Sequence, residues 1–235
     1  MRVLLEKIKS FFSNTLYYPG CLTRFALPEI QKNYERILDY LGVDFVTIDE
    51  IKCCGSPVIN AGYRKDYERL VKENQGLLKE YGVSEIVTNC PACYHMLKNI
   101  HPNVKHITQI IAEKIGETRK MNLTVTYHDP CHLGRYAGIY NEPREILKKC
   151  VKDVLEMDYC KERSLCCGGG GGFRSNYTEL SRAIARKRVE QAKDTGADVL
   201  VTSCPMCYLQ LKEVNEIKVM ELSEVVAHAL GLTGD

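Results

Sequence analysis

V-T-S-C-P-M-C-Y-L-Q-L-K, residues 201–212, has a near copy in V-T-N-C-P-A-C-Y-H-M-L-K, residues 87–98. The two stretches are identical at 8 of 12 positions, which include both cysteines, the proline and the tyrosine. A Cys-Cys-Gly triplet precedes each copy, at residues 53–55 and 166–168, and a single cysteine precedes each triplet, Cys21 and Cys131. The chain therefore carries C-x31-CC-x35-C-x2-C followed by C-x34-CC-x36-C-x2-C, which indicates an internal duplication.

The composition of the 235-residue chain, 45% hydrophobic and 26% charged, is typical of a globular protein with a sizeable core. A net charge of +2 without a basic tract argues against nucleic-acid binding. No apolar run approaches the roughly 18 residues of a membrane span, and the N-terminus is unlike a secretory signal, so a cytoplasmic protein is expected. In such a chain, 12 cysteines favour metal-bound thiols over a disulfide framework.

Short apolar segments alternate with amphipathic helical segments along both copies, which predicts parallel sheets covered by helices. The predicted fold class is α/β, with two duplicated Rossmann-like βαβ domains related by pseudo-two-fold symmetry. Strands are expected at residues 15–20, 43–48, 84–89, 123–129, 153–157 and 197–203, and a strand followed by a closing helix at 104–116 and 217–231. The other expected helices cover residues 28–42, 66–82, 141–150 and 176–196.

All ten patterned cysteines directly follow a predicted strand or begin a predicted helix, so five thiols per copy are expected at one edge of each sheet. Soft thiolates select zinc, copper(I) or iron–sulfur clusters. Adjacent cysteines suit one tetrahedral zinc poorly, and a cubane cluster uses only four cysteines. The spacing predicts a thiolate metal centre in each half and favours iron–sulfur. Cys150 and Cys160 have no counterparts in the first copy, and they are expected to be small hydrophobic residues.

Over about residues 15–235, this pattern resembles the cysteine-rich CCG domain found in the B subunit of heterodisulfide reductase and in the catalytic part of the D subunit. The resemblance implies two [4Fe–4S] clusters of noncubane type, one in each repeat. Zinc in one repeat is the alternative. The implied ligands are Cys21, Cys53, Cys54, Cys90 and Cys93 in the first repeat, and Cys131, Cys166, Cys167, Cys204 and Cys207 in the second.

The function implied by the resemblance is that of the catalytic subunit of a heterodisulfide-reductase-like complex. Its substrate would be the coenzyme M–coenzyme B heterodisulfide of methanogenesis or a similar disulfide. One alternative is an electron-transfer iron–sulfur subunit of a glycolate, lactate, glycerol-3-phosphate or succinate oxidoreductase. Another is a zinc-stabilised assembly module without redox chemistry.

The implied partner is a ferredoxin-like iron–sulfur subunit similar to the C subunit of the reductases, because this sequence has no C-x2-C-x2-C-x3-C cubane motif. A flavin subunit and a membrane cytochrome subunit are further candidates. Through such a partner a cytoplasmic chain would lie at the periphery of the membrane.

Several residues beside the cysteines are candidates for substrate chemistry. His132 is a candidate proton donor to a departing thiolate, although a structural histidine is the simpler interpretation. Arg135 and Arg174 are candidates to bind an anionic substrate or to balance the charge of a cluster. The run Gly168–Gly172 is expected to form either a thin accessible wall or a tight loop whose N–H groups face sulfur. Arg186, Lys187 and Arg188 are expected on a solvated helix face.

The predicted domain organisation follows the duplication. An N-terminal amphipathic helix covers residues 1–14, and it would dock on a partner, lie on a membrane surface or pack on its own domain. The first iron–sulfur domain covers residues 15–118, and the second covers residues 119–235.

Overall fold

The computed structural model describes residues 14–232. Of the segment 1–14 expected as an N-terminal helix, only Asn14 is described, so that prediction lies outside the described residues. Within residues 14–232, no helix combines the length and the apolar character needed to cross a membrane.

The first half of the described chain alternates strands and helices as expected. Its elements are β1 (Thr15–Tyr18), α1 (Cys21–Ala26), α2 (Pro28–Tyr40), α3 (Ser56–Asn60), α4 (Arg64–Glu80), β2 (Glu85–Thr88), α5 (Pro91–Leu97), β3 (Val104–His106) and α6 (Ile107–Lys114).

The second half repeats this order. Its elements are β4 (Met121–His128), α7 (Asn141–Cys150), β5 (Val151–Leu155), a 3₁₀ turn (Lys161–Arg163), α8 (Phe173–Asn176), α9 (Thr178–Lys193), β6 (Val199–Thr202), α10 (Pro205–Lys212), β7 (Lys218–Glu221) and α11 (Leu222–Ala229).

Local sequence explains where these helices begin and end. Proline occupies the first turn of α2, α5 and α10, where its missing N–H costs no hydrogen bond. Glycines with positive φ follow the last turns of α2, α4 and α9, at Gly42, Gly82 and Gly196. The buried residues of α2 recur at helical spacing and form one apolar stripe, at Ile30, Tyr34, Ile37 and Leu38.

The two sheets have the same topology, which confirms the predicted α/β fold with duplicated units. The first sheet has the order β1-β2-β3 and the second has the order β5-β4-β6-β7, and all pairs are parallel. A single bridge between Leu16 and Val46 occupies in the first sheet the position that β5 occupies in the second. In each half, the chain runs outward in both directions from the first strand, so the crevice of a doubly wound sheet opens beside that strand's carboxyl end.

Two expected elements differ from the structure. The strand expected at residues 43–48 is reduced to the bridge at Val46, held by the bonds Tyr17 N–H to Val46 O and Val46 N–H to Thr15 O. Its neighbour β1 has four residues, whereas β4, the neighbour of β5, has eight, so the first half offers a shorter edge to pair with. The helix expected at 176–196 is interrupted at Tyr177, which separates α8 from α9.

Helices pack reciprocally across the junction between the halves. Helix α2 of the first half packs on α11 of the second, and α6 of the first half packs on α7 of the second. Because α2 corresponds to α7 and α6 corresponds to α11, the two contacts are the same contact made twice with the partners exchanged. One hydrophobic core therefore contains residues of both halves, including Tyr17, Tyr34 and Ile107 with Tyr127 and Val226.

A polar contact lies inside this shared core. Tyr34 Oη donates a hydrogen bond to Oε1 of Glu221 at 2.7 Å, and both residues are completely buried. Burial raises the pKa of Glu221 to about 7. The corresponding N-cap residue of the first half is His106, whose pKa is lowered to about 3 by burial. The same cap position thus holds a buried acid in one half and a buried neutral imidazole in the other.

Candidate metal centres

Ten cysteines collect at the carboxyl edges of the two sheets. Cys21 begins α1 directly after β1, and Cys90 is the N-cap of α5 directly after β2. Cys204 is the N-cap of α10 after β6, and Cys131 follows β4. Both crevices therefore receive thiols from the two central strands, as the sequence predicts.

The first five thiols form a continuous chain of contacts, which we call the first thiol set. Hydrogen-bonding contacts join Cys21 to Cys53, Cys53 to Cys54, Cys54 to Cys93, and Cys93 to Cys90. All twelve cysteines of the chain are free thiols, so no disulfide crosses the set.

The second thiol set repeats the chain in the same order. Contacts join Cys131 to Cys166, Cys166 to Cys167, Cys167 to Cys207, and Cys207 to Cys204. The correspondence extends to the individual positions, because each Cys-Cys dipeptide joins the outermost thiol to the C-x-x-C pair.

The thiols of one set cannot all ionise together without a cation. The hydrogen bond to the neighbouring thiol, and then burial, raise the pKa of the outermost thiols Cys21 and Cys131. Hydrogen bonds from both neighbouring thiols lower the pKa of Cys53 and of Cys166. Five thiolates in contact repel each other, so their ligation requires metal cations between them. Soft, deprotonated sulfur in this number fits an iron–sulfur centre.

Backbone N–H groups line both sets and fit a sulfur-rich anion. Gly55 N donates to Cys53 Sγ at 3.4 Å, and Gly168 N and Gly169 N donate to Cys166 Sγ and Cys167 Sγ at 3.4 Å. Backbone N–H groups in the first turn of α5 also lower the pKa of Cys90, after the hydrogen bond from Cys93. Such donors stabilise negative sulfur.

The glycine of each Cys-Cys-Gly triplet is required by its conformation and by its neighbours. Gly55 has φ +86° and Gly168 has φ +81°, in the region that favours glycine. A Cβ at residue 55 would lie 2.5 Å from the Tyr67 ring, and a Cβ at residue 168 would lie 2.9 Å from the carbonyl oxygen of Ser181. Any larger residue would therefore move the loop that carries two thiols of the set.

Cys150 and Cys160 lie apart from both sets. Cys150 is completely buried at the end of α7, where the Thr118 side chain contacts its thiol. Cys160 precedes the 3₁₀ turn, and its thiol contacts Glu156. Their exclusion from the ligands remains a prediction that this placement supports.

His132 lies beside the second thiol set and approaches the helix that carries Cys93. Its Nδ1 is 3.4 Å from Cys131 Sγ, and its ring centroid is 6.3 Å from that of His95 on α5, which also carries Cys93. The Tyr136 ring packs against both histidines, with centroid distances of 4.8 Å and 5.8 Å. Burial, followed by the charge of His95, lowers the pKa of His132. An aromatic group therefore connects the surroundings of the two sets.

The two candidate arginines are engaged by the protein. Arg135 Nη1 donates to Ser164 O at 2.6 Å, which ties the turn after Cys131 to the loop that leads to Cys166. Arg24 makes the equivalent bond in the first half, from Nη1 to Asp49 O at 3.2 Å. Arg174 donates to Gln210 Oε1 at 3.3 Å and forms a short ion pair with Glu213, both on or beside α10.

The glycine run combines both of the expected arrangements. Gly168 and Gly169 are buried and hold thiols, whereas Gly170, Gly171 and Gly172 are exposed. Added Cβ atoms at Gly170 and Gly171 would meet no atom within 4 Å. The run is therefore a tight loop at its start and an accessible surface at its end.

The expectation that Arg188 lies on a solvated helix face is wrong. Arg188 is completely buried, whereas Arg186 and Lys187 are exposed as expected. Its guanidinium donates from Nε to Nδ1 of His128 at 3.0 Å, beneath the second thiol set. The spacing contained the signal, because Arg188 lies three residues after Ala185 and four before Ala192, on the buried stripe of α9.

His128 is the second residue that the sequence interpretation missed. It ends β4, it is completely buried, and one of its ring nitrogens lies within 4.8 Å of the sulfurs of Cys167 and Cys207. Comparison of the two copies identifies it, because Tyr18 occupies the same position at the end of β1.

A groove of about 950 Å³ opens beside the first thiol set. Its lining includes Cys21 and Cys53, the aromatic residues Phe25 and Phe45, and Lys52. Phe25 is 79% exposed at its rim. The first thiol set is thus reached from solvent through this groove.

Comparison with known proteins agrees with this architecture. The model of the cysteine-rich domain named CCG matches residues 15–98 and again residues 125–212. The D subunit of the heterodisulfide reductase of Methanosarcina barkeri is 35% identical over 94% of the chain, and the B subunit of the CoM/CoB fumarate reductase of Methanothermobacter marburgensis is 33% identical over 89%. EtfAB:quinone oxidoreductase of Syntrophomonas wolfei is 30% identical over 92% of the chain.

The chain spans only part of these relatives, namely 60%, 45% and 34% of their respective lengths. Their names describe oxidoreductases or subunits of oxidoreductase complexes, and their shared segment is the doubled cysteine-rich unit. The thiol chemistry and the fold fit an iron–sulfur protein, and the relatives named here are oxidoreductases or subunits of them. The chain belongs to the family of proteins with the cysteine-rich CCG domain.

Proposed function

We propose that this chain is the catalytic part of a heterodisulfide-reductase-like complex and reduces a disulfide at two noncubane [4Fe–4S] clusters. The observation that carries the proposal is the pair of matched five-thiol sets, with the rings of His95 and His132, from the segments that carry Cys93 and Cys131, 6.3 Å apart. The ten cysteines of the two sets are the proposed ligands. The substrate is the coenzyme M–coenzyme B heterodisulfide or a similar disulfide.

The stoichiometry of the reaction suits two matched centres. Reduction of a disulfide breaks one S–S bond, consumes two electrons and two protons, and yields two thiols. Each cluster supplies one electron when it is bound. His132 is the proposed proton donor to one departing sulfur, because it lies beside Cys131 and its ring is 6.3 Å from that of His95, on the helix that carries Cys93.

The electrons come from a partner in this proposal. The relatives are longer than the chain, and a ferredoxin-like iron–sulfur subunit or domain, with a flavin or a membrane cytochrome subunit beyond it, would complete the path. The proposed location is the cytoplasm, at the membrane periphery where the partner is membrane-bound. The proposed domain boundary, between residues 118 and 119, lies in the segment that joins α6 to β4.

A second candidate function is electron relay without disulfide binding. Arg174 forms an ion pair with Glu213, and Arg135 donates one hydrogen bond to the backbone oxygen of Ser164, so the first guanidinium already has an anionic partner within the protein. That observation favours an electron-transfer subunit of a hydroxy-acid or succinate oxidoreductase. Among the relatives, EtfAB:quinone oxidoreductase is named for a reaction without a disulfide.

Metal analysis tests the cofactors. Anaerobically prepared protein should be brown and should contain iron and acid-labile sulfide at a ratio that corresponds to two clusters per chain. Stoichiometric zinc without sulfide would contradict the proposal and would support the assembly module.

A single-turnover experiment separates catalysis from relay. Reduced protein, freed of reductant, is mixed with the coenzyme M–coenzyme B heterodisulfide, and thiols are counted as the visible absorption changes. Catalysis predicts two thiols per chain and oxidation of both clusters. Clusters that stay reduced with the disulfide but are oxidised by a quinone would establish relay instead.

Variants assign the proposed residues. His132→Gln should slow thiol release most strongly below neutral pH, where His132 with its lowered pKa carries the proton, and should leave the cluster spectra unchanged, because it removes a proton donor and no ligand. His101→Gln is the matched control, because His101 bonds Asn103 O and Val83 O away from both sets. Arg174→Ala should raise the KM for the disulfide if the substrate replaces Glu213 as the partner of the Arg174 guanidinium. An unchanged KM would leave Arg174 with its structural role.

A further inference from the structure

The two thiol sets have different residues beneath them at equivalent positions. His128 ends β4 where Tyr18 ends β1. Arg188 lies eight residues before Gly196, and Asn74 lies eight residues before Gly82, on the corresponding helix. All four side chains are buried. We call these residues the His128–Arg188 pair and the Tyr18–Asn74 pair.

The Tyr18–Asn74 pair is neutral and bonds only to the backbone beside the first set. Tyr18 Oη donates to Lys52 O at 2.9 Å. The Asn74 side chain accepts from Lys52 N at 2.9 Å and donates to Cys53 O at 3.2 Å. This pair fixes the loop of Cys53 and Cys54 and brings no charge to the thiols.

The His128–Arg188 pair brings a buried cation. Apart from His128 Nδ1, Arg188 donates to Tyr159 O and Gln191 Oε1, both at 2.8 Å, and these three acceptors are neutral. Its Nη2 has no hydrogen-bond partner among the described residues. Asp129, the carboxylate whose charge acts on Arg188, is bonded through both oxygens to Arg144. A buried cation is costly unless an anion compensates it, and metal-bound thiolates of the second set would be that anion.

The bond from Arg188 also fixes the proton of His128. An arginine N–H always donates, so Nδ1 must be the acceptor and the ring proton lies on Nε2. Nε2 is buried and has no partner among residues 14–232. Because Arg188 takes Nδ1, Nε2 is the nitrogen left to face the sulfurs of Cys167 and Cys207, within 4.8 Å of the ring. Ligation through Nε2 would require loss of this proton, so the buried N–H would instead be a donor to a sulfur of the bound cluster.

We infer that the His128–Arg188 pair makes the second thiol set the higher-potential centre, so that electrons pass from the first set to the second. The inference rests on the proposed clusters at both sets. Reduction adds negative charge to a cluster, and that charge is stabilised by a nearby cation and by N–H donors to sulfur. The first set has only the neutral Tyr18–Asn74 pair at these positions. The groove beside the first set opens to solvent, so electrons enter at the first set and pass to the second.

The test exchanges residues between the halves in the full, cluster-loaded chain. Arg188→Asn installs the residue of the first half, and reductive titration followed by electron paramagnetic resonance resolves the two one-electron steps. The higher step should fall by at least tenfold in its equilibrium constant, which is about 59 mV for a one-electron couple, and the lower step should stay in place. Arg188→Lys should restore most of the difference because it keeps the charge. Arg186→Asn, on the exposed face of the same helix, should change neither step.

A second variant covers failure of the first to fold. His128→Gln removes the imidazole N–H and leaves the cation, so the higher step should fall by less than in Arg188→Asn. An unshifted higher step in either folded variant overturns the inference, as does a shift of the lower step alone. If wild-type protein carries two clusters and the variants show no shift in the higher step, only this inference is rejected. Wild-type protein without iron–sulfur absorption would reject the proposed function itself.

Discussion

The loops that carry the two Cys-Cys dipeptides differ in how they are held. In the second half, Arg144 is buried and bonds Asp129 through two N–H groups and Glu156 through two more. Asp129 also accepts from the backbone N–H of Lys161, and Arg135 holds Ser164. In the first half, the corresponding loop is held by one bridge at Val46, by neutral bonds to Tyr18 and Asn74, and by Arg24, which binds the half-exposed Asp49.

The difference teaches that an identical ligand pattern does not imply an identical site. The first loop leaves a groove of about 950 Å³ beside Cys21 and Cys53, whereas the second is braced by a buried ion network. Equal thiols can therefore have unequal surroundings, one set beside an open groove and the other beside a buried ion network. The following substitutions test how far the two halves are equivalent.

The largest effect is expected from the ligand positions. Cys54→Ser and Cys167→Ser should each remove about half of the iron and sulfide per folded chain, because each thiol links its neighbour in the Cys-Cys dipeptide to the C-x-x-C pair. Cys150→Ser and Cys160→Ser are the controls and should keep the full metal content. Iron loss from Cys160→Ser would contradict the assignment by symmetry.

The bracing arginines should differ strongly in their contribution to stability. Arg144→Ala leaves Asp129 buried and unpaired, and should lower the free energy of unfolding by about 3–5 kcal/mol. Arg24→Ala removes a partly exposed pair and should cost less than about 1 kcal/mol. Urea unfolding of both variants measures this difference. Equal losses would show that the two loops are held alike.

The free energy of unfolding should depend on pH in opposite directions at the two buried N-cap residues, Glu221 and His106. The pKa of Glu221 is raised to about 7, so the folded chain keeps a proton that the unfolded chain has lost, and stability falls as pH rises from 4.5 to 7. His106, with a pKa lowered to about 3, instead loses stability as pH falls below 6.5.

Measuring the free energy of unfolding of Glu221→Gln at pH 5 and pH 8 isolates the pH dependence that Glu221 contributes. Relative to wild type, the variant should gain about 3 kcal/mol between the two pH values, because the amide cannot ionise. Subtraction of the wild-type curve cancels the other titrating groups. A constant difference between the two proteins would show that Glu221 is not the source of the slope.

The triplet glycines should show smaller effects. Gly168→Ala and Gly55→Ala impose a left-handed φ on a residue with a Cβ and should each cost about 1–3 kcal/mol. The loss should be larger for Gly168→Ala, because its Cβ meets the backbone oxygen of Ser181 rather than a movable tyrosine ring. Gly170→Ala, with open space and no positive φ, should be neutral. Thermal unfolding of the three variants checks the order.

Much of the fold followed from the sequence because the repeat provides two independent examples of each element. The cysteine spacing placed the thiols beyond the strand ends, and the helices at 28–42 and 141–150 form where proline and apolar spacing indicated them. The strand predicted at residues 43–48 is reduced to one bridge because a strand needs a neighbouring strand of matching length. The local sequence does not show how long that neighbour is.

The electrostatic differences between the two halves were missed for a related reason. A solvated position is the default expectation for Arg188 because charged residues are rarely buried; its spacing matches the buried stripe of α9, but its acceptor His128 lies 60 residues away in the sequence. Glu221 and Tyr34 are 187 residues apart, and their contact exists only because the halves pack together. Pairing across such distances is a property of the assembled core rather than of any local pattern.

The reciprocal packing of α2 on α11 and of α6 on α7 has a consequence for the origin of the molecule. A chain that held one half alone would expose two apolar helix faces, and a second copy would cover them through an isologous two-fold contact. In such a dimer every substitution appears twice, so the two centres would always be identical. Fusion through the segment between α6 and β4 lifts that restriction. Tyr18 and Asn74 can then remain beside one centre while His128 and Arg188 occupy the equivalent positions beside the other. The two centres of a symmetric fold can therefore differ in their properties.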